Sequence, residues 1–587
     1  MQAAARIDLP SIKDEINNAI GIDTSEDAIG SLTGLIPGSM AMYQEGDRGP
    51  LSLENYDMSW MTEAPLTENS IFEDISIPSI SDLESPELLP SVTRSPLDQC
   101  AEMPMATLPN AALDLPFQTS LDDLDDFHRI WPHLHWSTIT TVVPSGLLGQ
   151  ALHHVAQHNN NINDGAHLAE CTNRLLMPHP KTDQISSIPI SDLQALSVVL
   201  ISTILHDTSS KATDWAVQWT EIATSVIRRL GMLELCWKSS NISSPEEEKA
   251  WIHEEESKRL VYTILRIDAY LSLITGHPPS LRVQELRLSL PVTENVWTAS
   301  TFESRQQLCW FEPAGRAQTT LNAIVGDGLA RSRSWMPGDP TGMPPLLPAD
   351  NHLVLCALQG EIWAAAHETQ SLNHGSSNSI SSWRVPESVN SWRRYLLNWH
   401  AHTQLGPSTM LPDETSWDTL NQTQYHLCQL TLHAPLQLLE SRHCCIQCCR
   451  SNTTAMLRAW ASSIESRRAV YHAAQLQRLH DGQAGFISRR WLDPLQVPAL
   501  LASAVVLCSY AADCPYLETG DPIEICQEAS GTSPAFDEWI QHGGLATACG
   551  QLLSSPSLQG LFSWFQERLV MFPQNLGRVT ELKEKLS

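Results

Sequence analysis

Apolar residues recur at spacings of three and four along most of the chain after about residue 128, a period that predicts amphipathic helices. Strand-like alternation is rare, and Pro- and Gly-rich segments at 276–291, 335–350 and 371–381 divide the helical stretches. No repeat of fixed period is present, which argues against a regular solenoid. We therefore predict an irregular all-α fold, with helices over Thr213–Leu233, Glu246–Thr275, His352–His367, Trp392–Thr403, Gln424–Cys449, Thr454–Leu479 and Val497–Ala511.

The first 126 residues follow a different pattern. They contain eleven prolines, and residues 1–127 hold 24 acidic and 4 basic side chains, or a net charge of −20 out of −30 for the whole chain. The apolar residues stand in short clusters between Ser, Asp and Pro, and together with the high acidic excess this leaves too little burial to offset the entropy of ordering. The sequence therefore predicts a large helical domain that is preceded by a disordered acidic N-terminal region over 1–126.

Two short apolar clusters interrupt this acidic region, one around Phe72 and Ile75 and the other around Leu121, Leu124 and Phe127. Acidic neighbours would keep such side chains in solvent, where a partner groove could bury them as a short helix. This pattern is typical of an acidic activation segment. The alternatives are that the first cluster belongs to a solvated linker and that the second begins the folded domain.

The helix predicted over Glu246–Thr275 carries regularly spaced charges. Glu255, Arg259, Tyr262 and Arg266 stand at i, i+4, i+7 and i+11, which places them on one face. Gly276 and the two prolines that follow should end this helix. The charged face has two interpretations: a partly buried ion network that joins the helix to its neighbours, or a surface that binds an effector or a partner.

This stretch closely resembles the middle homology region of fungal-specific transcription factors. The resemblance implies an all-α regulatory domain over 127–440, with a helical extension over 441–587 packed on it. It identifies the domain more than a ligand site, and its motif residues are expected to be mainly structural. The matching positions are Glu254, Glu255, Glu256, Ser257, Arg259, Leu260, Tyr262, Arg266, Asp268, Gly276, Pro278, Pro279, Glu285, Leu286, Leu290, Pro291 and Trp297.

Family members commonly carry an N-terminal DNA-binding module that zinc stabilises. The first 127 residues contain one cysteine, Cys100, so we expect neither a six-cysteine cluster nor two-cysteine two-histidine fingers, and zinc only if such a module exists outside this sequence. With 36 basic against 66 acidic residues, direct DNA binding is not expected either. Three explanations stay open: a start assigned too late, loss of the module to give a cofactor or repressor, or binding through a partner that contacts DNA.

The remaining candidate metal ligands are better interpreted as residues that pack in the core. The segment His443–Cys449 holds four cysteines, but it continues a predicted helix and lacks a second ligand pair nearby. His426 and His433 share a helix face, and the histidines of 128–158 alternate with Trp131, so we interpret both groups as buried packing residues. No phosphate loop, nucleophile elbow, zincin helix or dinucleotide loop occurs, which argues against an enzyme.

The apolar runs Leu193–Leu205 and Val497–Tyr510 are too short to span a bilayer, and fourteen cysteines at low density are typical of reduced thiols inside a cell. Together with these features, the resemblance to fungal-specific transcription factors implies a fungal nuclear regulator of RNA polymerase II genes, for instance of a metabolic or secondary-metabolite pathway. Expected partners are the transcription machinery or another regulator, with a homodimer as a further option. The alternative is a helical sensor or adaptor that binds a small apolar effector or another transcription factor, without DNA.

Overall fold

The computed structural model describes most of the chain from Phe127 onward. The predicted disordered region over 1–126, with Phe72, Ile75, Leu121 and Leu124, lies outside the described residues. The same holds for 445–449 and for the side chains of 441–444 within the cysteine-rich segment. The described ranges are 127–141, 146–157, 189–206, 210–234, 244–313, 315–332, 346–374, 383–404, 414–444, 450–483, 494–513, 521–526 and 533–570.

The prediction of an all-α fold is confirmed, with three short strands near the C-terminal end of the described chain. These strands form one sheet in the order β1-β2-β3, in which β1 is parallel to β2 and β2 is antiparallel to β3. The elements are α1 (Trp136–Thr141), α2 (Leu147–Gln157), α3 (Ile190–His206), α4 (Ser210–Arg229), α5 (Pro245–Thr275), α6 (Glu294–Trp297), α7 (Phe302–Cys309), α8 (Leu321–Ser332), α9 (Pro348–His374), α10 (Glu387–Gln404), α11 (Glu414–His433), α12 (Leu436–Cys444), α13 (Arg450–Ala461), α14 (Ile464–Gln483), α15 (Gln496–Asp513), β1 (Ile523–Glu524), α16 (Pro534–His542), β2 (Ala546–Ala548), β3 (Gln551–Leu552) and α17 (Leu558–Val570).

Helix α5 is the long central element, and its ends follow from local chemistry. Ser244 caps the N-terminus, where its side chain accepts from the Glu247 amide at 3.3 Å, and Pro245 occupies the first turn. Gly276 ends the helix in the left-handed conformation, at φ 72°. Residues 255–272 are buried on every side, because α3, α4 and α9 all pack against this helix.

A large apolar core connects most of the described helices from Phe127 to Phe565, and a smaller cluster around Trp251, Val296 and Trp297 holds α6 and α7 against the start of α5. Helix α11 lies between α9 and α14, and α14 in turn packs against α15. Helix α15 is longer than the predicted apolar run, and by length and composition alone it could cross a membrane. However, 72% of it is buried, against α12, α14 and α17, as in the core helix of a soluble fold.

Two predicted helices are each divided in the structure. The one predicted over Gln424–Cys449 breaks between α11 and α12, because Pro435 has no amide hydrogen to continue the ladder. The one predicted over Thr454–Leu479 breaks between α13 and α14. There the Ser463 hydroxyl accepts from the Ser466 amide at 3.3 Å and so starts a new helix. Both predictions of one continuous helix were therefore wrong.

Candidate functional site on the charged face of helix α5

Glu255 is the centre of a buried ion cluster. Its carboxylate is 1% exposed and lies 2.6 Å from Lys258 Nζ and 3.1 Å from Arg259 Nε. It also accepts from the Val292 amide at 2.9 Å. Burial alone would raise the pKa of Glu255, but Lys258 and Arg259 outweigh burial and hold that pKa below its usual value.

Arg259 connects three parts of the chain. Its guanidinium donates to the Pro132 carbonyl at 3.1 Å, to the Val292 carbonyl at 2.7 Å and to Glu294 at 2.8 Å. Its central carbon lies 4.5 Å from the Trp297 ring centroid, within cation–π range. Arg259 thereby holds the segment before α1 and the loop before α6 against α5.

Tyr262 and Asp268 hold the chain that follows α5. The Tyr262 hydroxyl lies 3.0 Å from the carbonyl oxygens of both Leu288 and Ser289. Asp268 accepts from the Leu281 amide at 2.7 Å. Burial raises the pKa of Asp268 to about 6, against the lowering effect of this and neighbouring hydrogen bonds. These side chains fix the path of residues 281–289 across α5.

The turn after α5 is also tightly packed. The Gly276 carbonyl accepts from Trp363 Nε1 at 2.7 Å and from Gln437 Nε2 at 3.0 Å. Pro279 is half-buried against α9, where its ring would lie 3.5 Å from a Cβ on Gly360. Pro278 is exposed. The turn motif therefore joins the end of α5 to α9 and α12.

Arg266 differs from the other charged residues of the face. It is 4% exposed, and its Nη1 donates to the Ile130 carbonyl at 2.7 Å, while its Nη2 lies 3.4 Å from the Tyr270 hydroxyl. The guanidinium stands 4.0 Å from the Trp131 ring centroid and 5.1 Å from that of Trp417. Its Nε has no hydrogen-bond partner within the described part of the chain.

The predicted network of Glu255, Arg259 and Arg266 is therefore not continuous. Arg259 pairs with Glu255 and Glu294, but within the described ranges no carboxylate forms an ion pair with Arg266. The physical reason is distance along the helix, since Arg266 stands three turns beyond Glu255. The two arginines instead contact different carbonyls of the segment before α1.

A cleft that is partly open to solvent lies beside Arg266, and its cavity volume is about 70 Å³. Arg316 and Asp350 form a buried pair on its wall. Nη1 and Nη2 of Arg316 both donate to the carboxylate, and the Nη2–Oδ1 distance is 2.7 Å. The lining residues include Pro132, Arg259, Tyr262, Arg266, Pro291, Val292, Glu294, Arg316, Ala349, Asp350, Leu353 and Trp417.

The other predicted site residues are mostly in the core or outside the described chain, but His153 is exposed, so its predicted burial was wrong. Phe127 is 2% exposed, which fits the alternative that its cluster begins the folded domain. His133 lies 3.0 Å from the Ser197 hydroxyl, and burial lowers its pKa to about 3. His426 lies 3.0 Å from His472, nitrogen to nitrogen. Among the described residues, no group of three or more His, Cys, Asp or Glu side chains is arranged to hold a metal ion.

Sequence reasoning missed the Arg316–Asp350 pair and the role of Glu294. The pair joins residues 34 positions apart across a loop, so no helical period could indicate it. Glu294 stands in the first turn of the short helix α6, and its distance of 35 residues from Arg259 likewise left no signal.

The family comparison concerns the part of the chain that contains this site. Residues 125–396 match the family described as the fungal specific transcription factor domain. A segment of 55 residues is 44% identical to the "Transcription factor PfmaH" of Pestalotiopsis fici, and it covers 9% of this chain and 6% of that relative. No solved structure matches the chain.

Proposed function

Because residues 125–396 are a fungal-specific transcription factor domain, we propose that this chain regulates transcription of RNA polymerase II genes in the nucleus. The observation that carries the proposal is the family match, whose range includes all of α5 and its charged face. The name of that relative, a transcription factor, supports the same role.

The geometry supports a regulatory rather than a chemical role for the motif. Glu255, Arg259, Tyr262 and Asp268 all bond main-chain groups of neighbouring segments. Such contacts set the relative positions of segments and leave no nucleophile or acid–base pair facing a substrate. We propose that the domain works by binding partners of the transcription machinery or another regulator, and that the acidic region over 1–126 supplies activation.

We propose that this chain reaches DNA only indirectly. The chain carries 36 basic against 66 acidic residues, and phosphate neutralisation supplies most non-specific affinity for DNA. We propose that promoter binding requires a partner protein or an additional zinc-binding module.

A reporter assay tests this function. The full chain, fused to an unrelated DNA-binding domain, should change expression from a matching promoter in fungal cells, and a fluorescent fusion should accumulate in the nucleus. A matched fusion with Phe72→Ala and Ile75→Ala tests the contribution of the first acidic cluster. Unchanged reporter expression together with cytoplasmic fluorescence would reject the proposal.

The second candidate, a sensor or adaptor that acts without DNA, is favoured by the cleft beside Arg266. A regulator that senses a small molecule needs an enclosed site with polar groups that orient the ligand. Reporter activity that depends on an added small molecule, with no promoter occupancy of any kind, would favour this candidate over the first.

A further inference from the structure

The Arg266 guanidinium is a buried charge with unused hydrogen-bond donors. A guanidinium has five N–H groups, and among the described residues Arg266 uses two nitrogens, towards the Ile130 carbonyl and the Tyr270 hydroxyl. Its Nε is buried and has no partner. Charged side chains are rarely buried unless they are paired, so the missing partner requires an explanation.

Aromatic rings compensate for part of this burial. Trp131 and Trp417 both lie within cation–π range of the guanidinium. Ring faces attract the cation, but they do not replace a hydrogen-bond acceptor in the plane of the guanidinium. His352, another partner of the Tyr270 hydroxyl, adds no second positive charge beside Arg266, because burial lowers its pKa and keeps it neutral.

Each of the other two arginines of the cleft already has a carboxylate. Arg259 bonds Glu294 at 2.8 Å, and Arg316 bonds Asp350 at 2.7 Å. Arg259 also pairs with Glu255 at 3.1 Å, and Arg316 also lies 3.7 Å from Glu312. Among the described residues, Arg266 is therefore the guanidinium of the cleft lining that has no carboxylate partner, and an acidic ligand group would find free donors there.

The remaining wall of the cleft is largely apolar. Pro132, Pro291, Val292, Leu353 and Trp417 contribute to it. A ligand with several negative charges would leave charge unpaired against these groups, since one guanidinium matches one carboxylate in a bidentate pair. The lining therefore favours one acidic group on an apolar body.

We propose that this cleft binds a small organic carboxylate whose acidic group pairs with Arg266 and whose apolar body lies against Trp417 and Leu353. The ligand would contact α5, the loop at 291–294 and the first turn of α9 together, and it would stabilise their arrangement. A regulatory role of this ligand rests on the proposed function, whereas binding of the carboxylate to the cleft does not.

Fluorine NMR on the full chain tests the proposal, with 4-fluorobenzoate as the probe and 4-fluorobenzamide as its neutral match. The benzoate should bind at least tenfold more tightly than the amide, because a charge-assisted bidentate pair is lost with the neutral group. Arg266→Gln should remove this preference. Arg287→Gln is the matched control, because Arg287 is 68% exposed, pairs with Glu234 and lies outside the cleft.

A second variant keeps the test decisive if Arg266→Gln fails to fold. Ala349→Leu places a larger side chain on the cleft wall and retains every charge, so it should weaken benzoate binding at least tenfold with little change in helix content. Equal affinity for benzoate and benzamide, or unchanged benzoate affinity in Ala349→Leu, would overturn the proposal. So would the absence of 4-fluorobenzoate binding up to about 10 mM, the range of very weak complexes.

The two proposals can fail separately. Benzoate binding that depends on Arg266, in a chain without reporter activity, would retain the site and reject the regulatory role. Reporter activity in a chain that binds no carboxylate would retain the regulatory role and reject the site.

Discussion

Gln437 Nε2 lies 3.0 Å from the Gly276 carbonyl oxygen, and a Cβ on Gly276 would lie 2.5 Å from that same nitrogen. The side chain that holds the end of α5 therefore occupies the space that any larger residue would need. Since Gly276 also has φ 72°, the turn requires glycine for its backbone conformation, and a larger residue would also have to displace the exposed Gln437 side chain.

We expect Gly276→Ala to lower the free energy of unfolding by about 2–3 kcal/mol, as the sum of left-handed strain and a lost hydrogen bond. Gly231→Ala is the control, because Gly231 has φ 67° with nothing within 4 Å of an added Cβ. It should cost about 1–2 kcal/mol, from strain alone. Urea denaturation of both variants measures the difference, and equal losses would mean that Gln437 moves aside freely.

Arg259→Ala should be among the most destabilising substitutions on α5. It removes bonds to Pro132, Val292 and Glu294 and leaves Glu255 buried with one remaining base. We expect a loss of about 3–5 kcal/mol, the usual cost of breaking a buried pair. Arg287→Ala breaks an exposed pair with Glu234 and should cost about 0–1 kcal/mol. A small loss in both variants would contradict a structural role for Arg259.

Two buried tyrosines should respond oppositely to loss of the hydroxyl. Tyr262→Phe leaves the Leu288 and Ser289 carbonyls without this donor and should destabilise the fold by about 1–3 kcal/mol. The hydroxyl of Tyr395 is buried without a partner, so Tyr395→Phe should be neutral or slightly stabilising. Thermal and urea unfolding of the pair check the order, and a larger loss for Tyr395→Phe would contradict it.

The domain should lose stability as the pH falls below about 6.5. Burial lowers the pKa of both His133 and His426 to about 3, so between pH 6.5 and 3 the unfolded chain binds protons that the folded chain does not. Each such histidine removes about 1.4 kcal/mol per pH unit in that window. Asp268 acts in the opposite direction, because burial raises its pKa to about 6 and favours the fold as the pH falls from 6 to 4.

Urea unfolding at pH 7 and 5.5 measures this dependence. The His133→Gln variant should lose about 1 kcal/mol less than the unaltered chain between these two values, since its side chain does not titrate. An identical pH dependence in both proteins would show that His133 is not kept neutral by burial.

The helices could be predicted because their ends depend on residues close to them in sequence. The site could be predicted only in part, because it depends on contacts between residues that are far apart in sequence. The ends of α5 follow from Ser244, Pro245 and Gly276, all within one turn of the boundary they set. The break at Pro435 was readable from the same rules, but the apolar period across it masked the division. The isolation of Arg266 could not be predicted from the sequence, because it depends on Ile130 and Trp417. Each of these lies more than 130 positions from Arg266 in sequence.

The bonds from α5 to the segment before α1 have a consequence for synthesis. Arg259 and Arg266 stand 127 and 136 positions after the carbonyls that they hold. At translation rates of about 5–20 residues per second, Ile130 precedes Arg266 out of the ribosome by on the order of ten seconds. During that interval Trp131 lacks the arginine that covers its ring. The nascent chain therefore exposes an aromatic segment early, and we expect it to need chaperone protection until α5 has emerged.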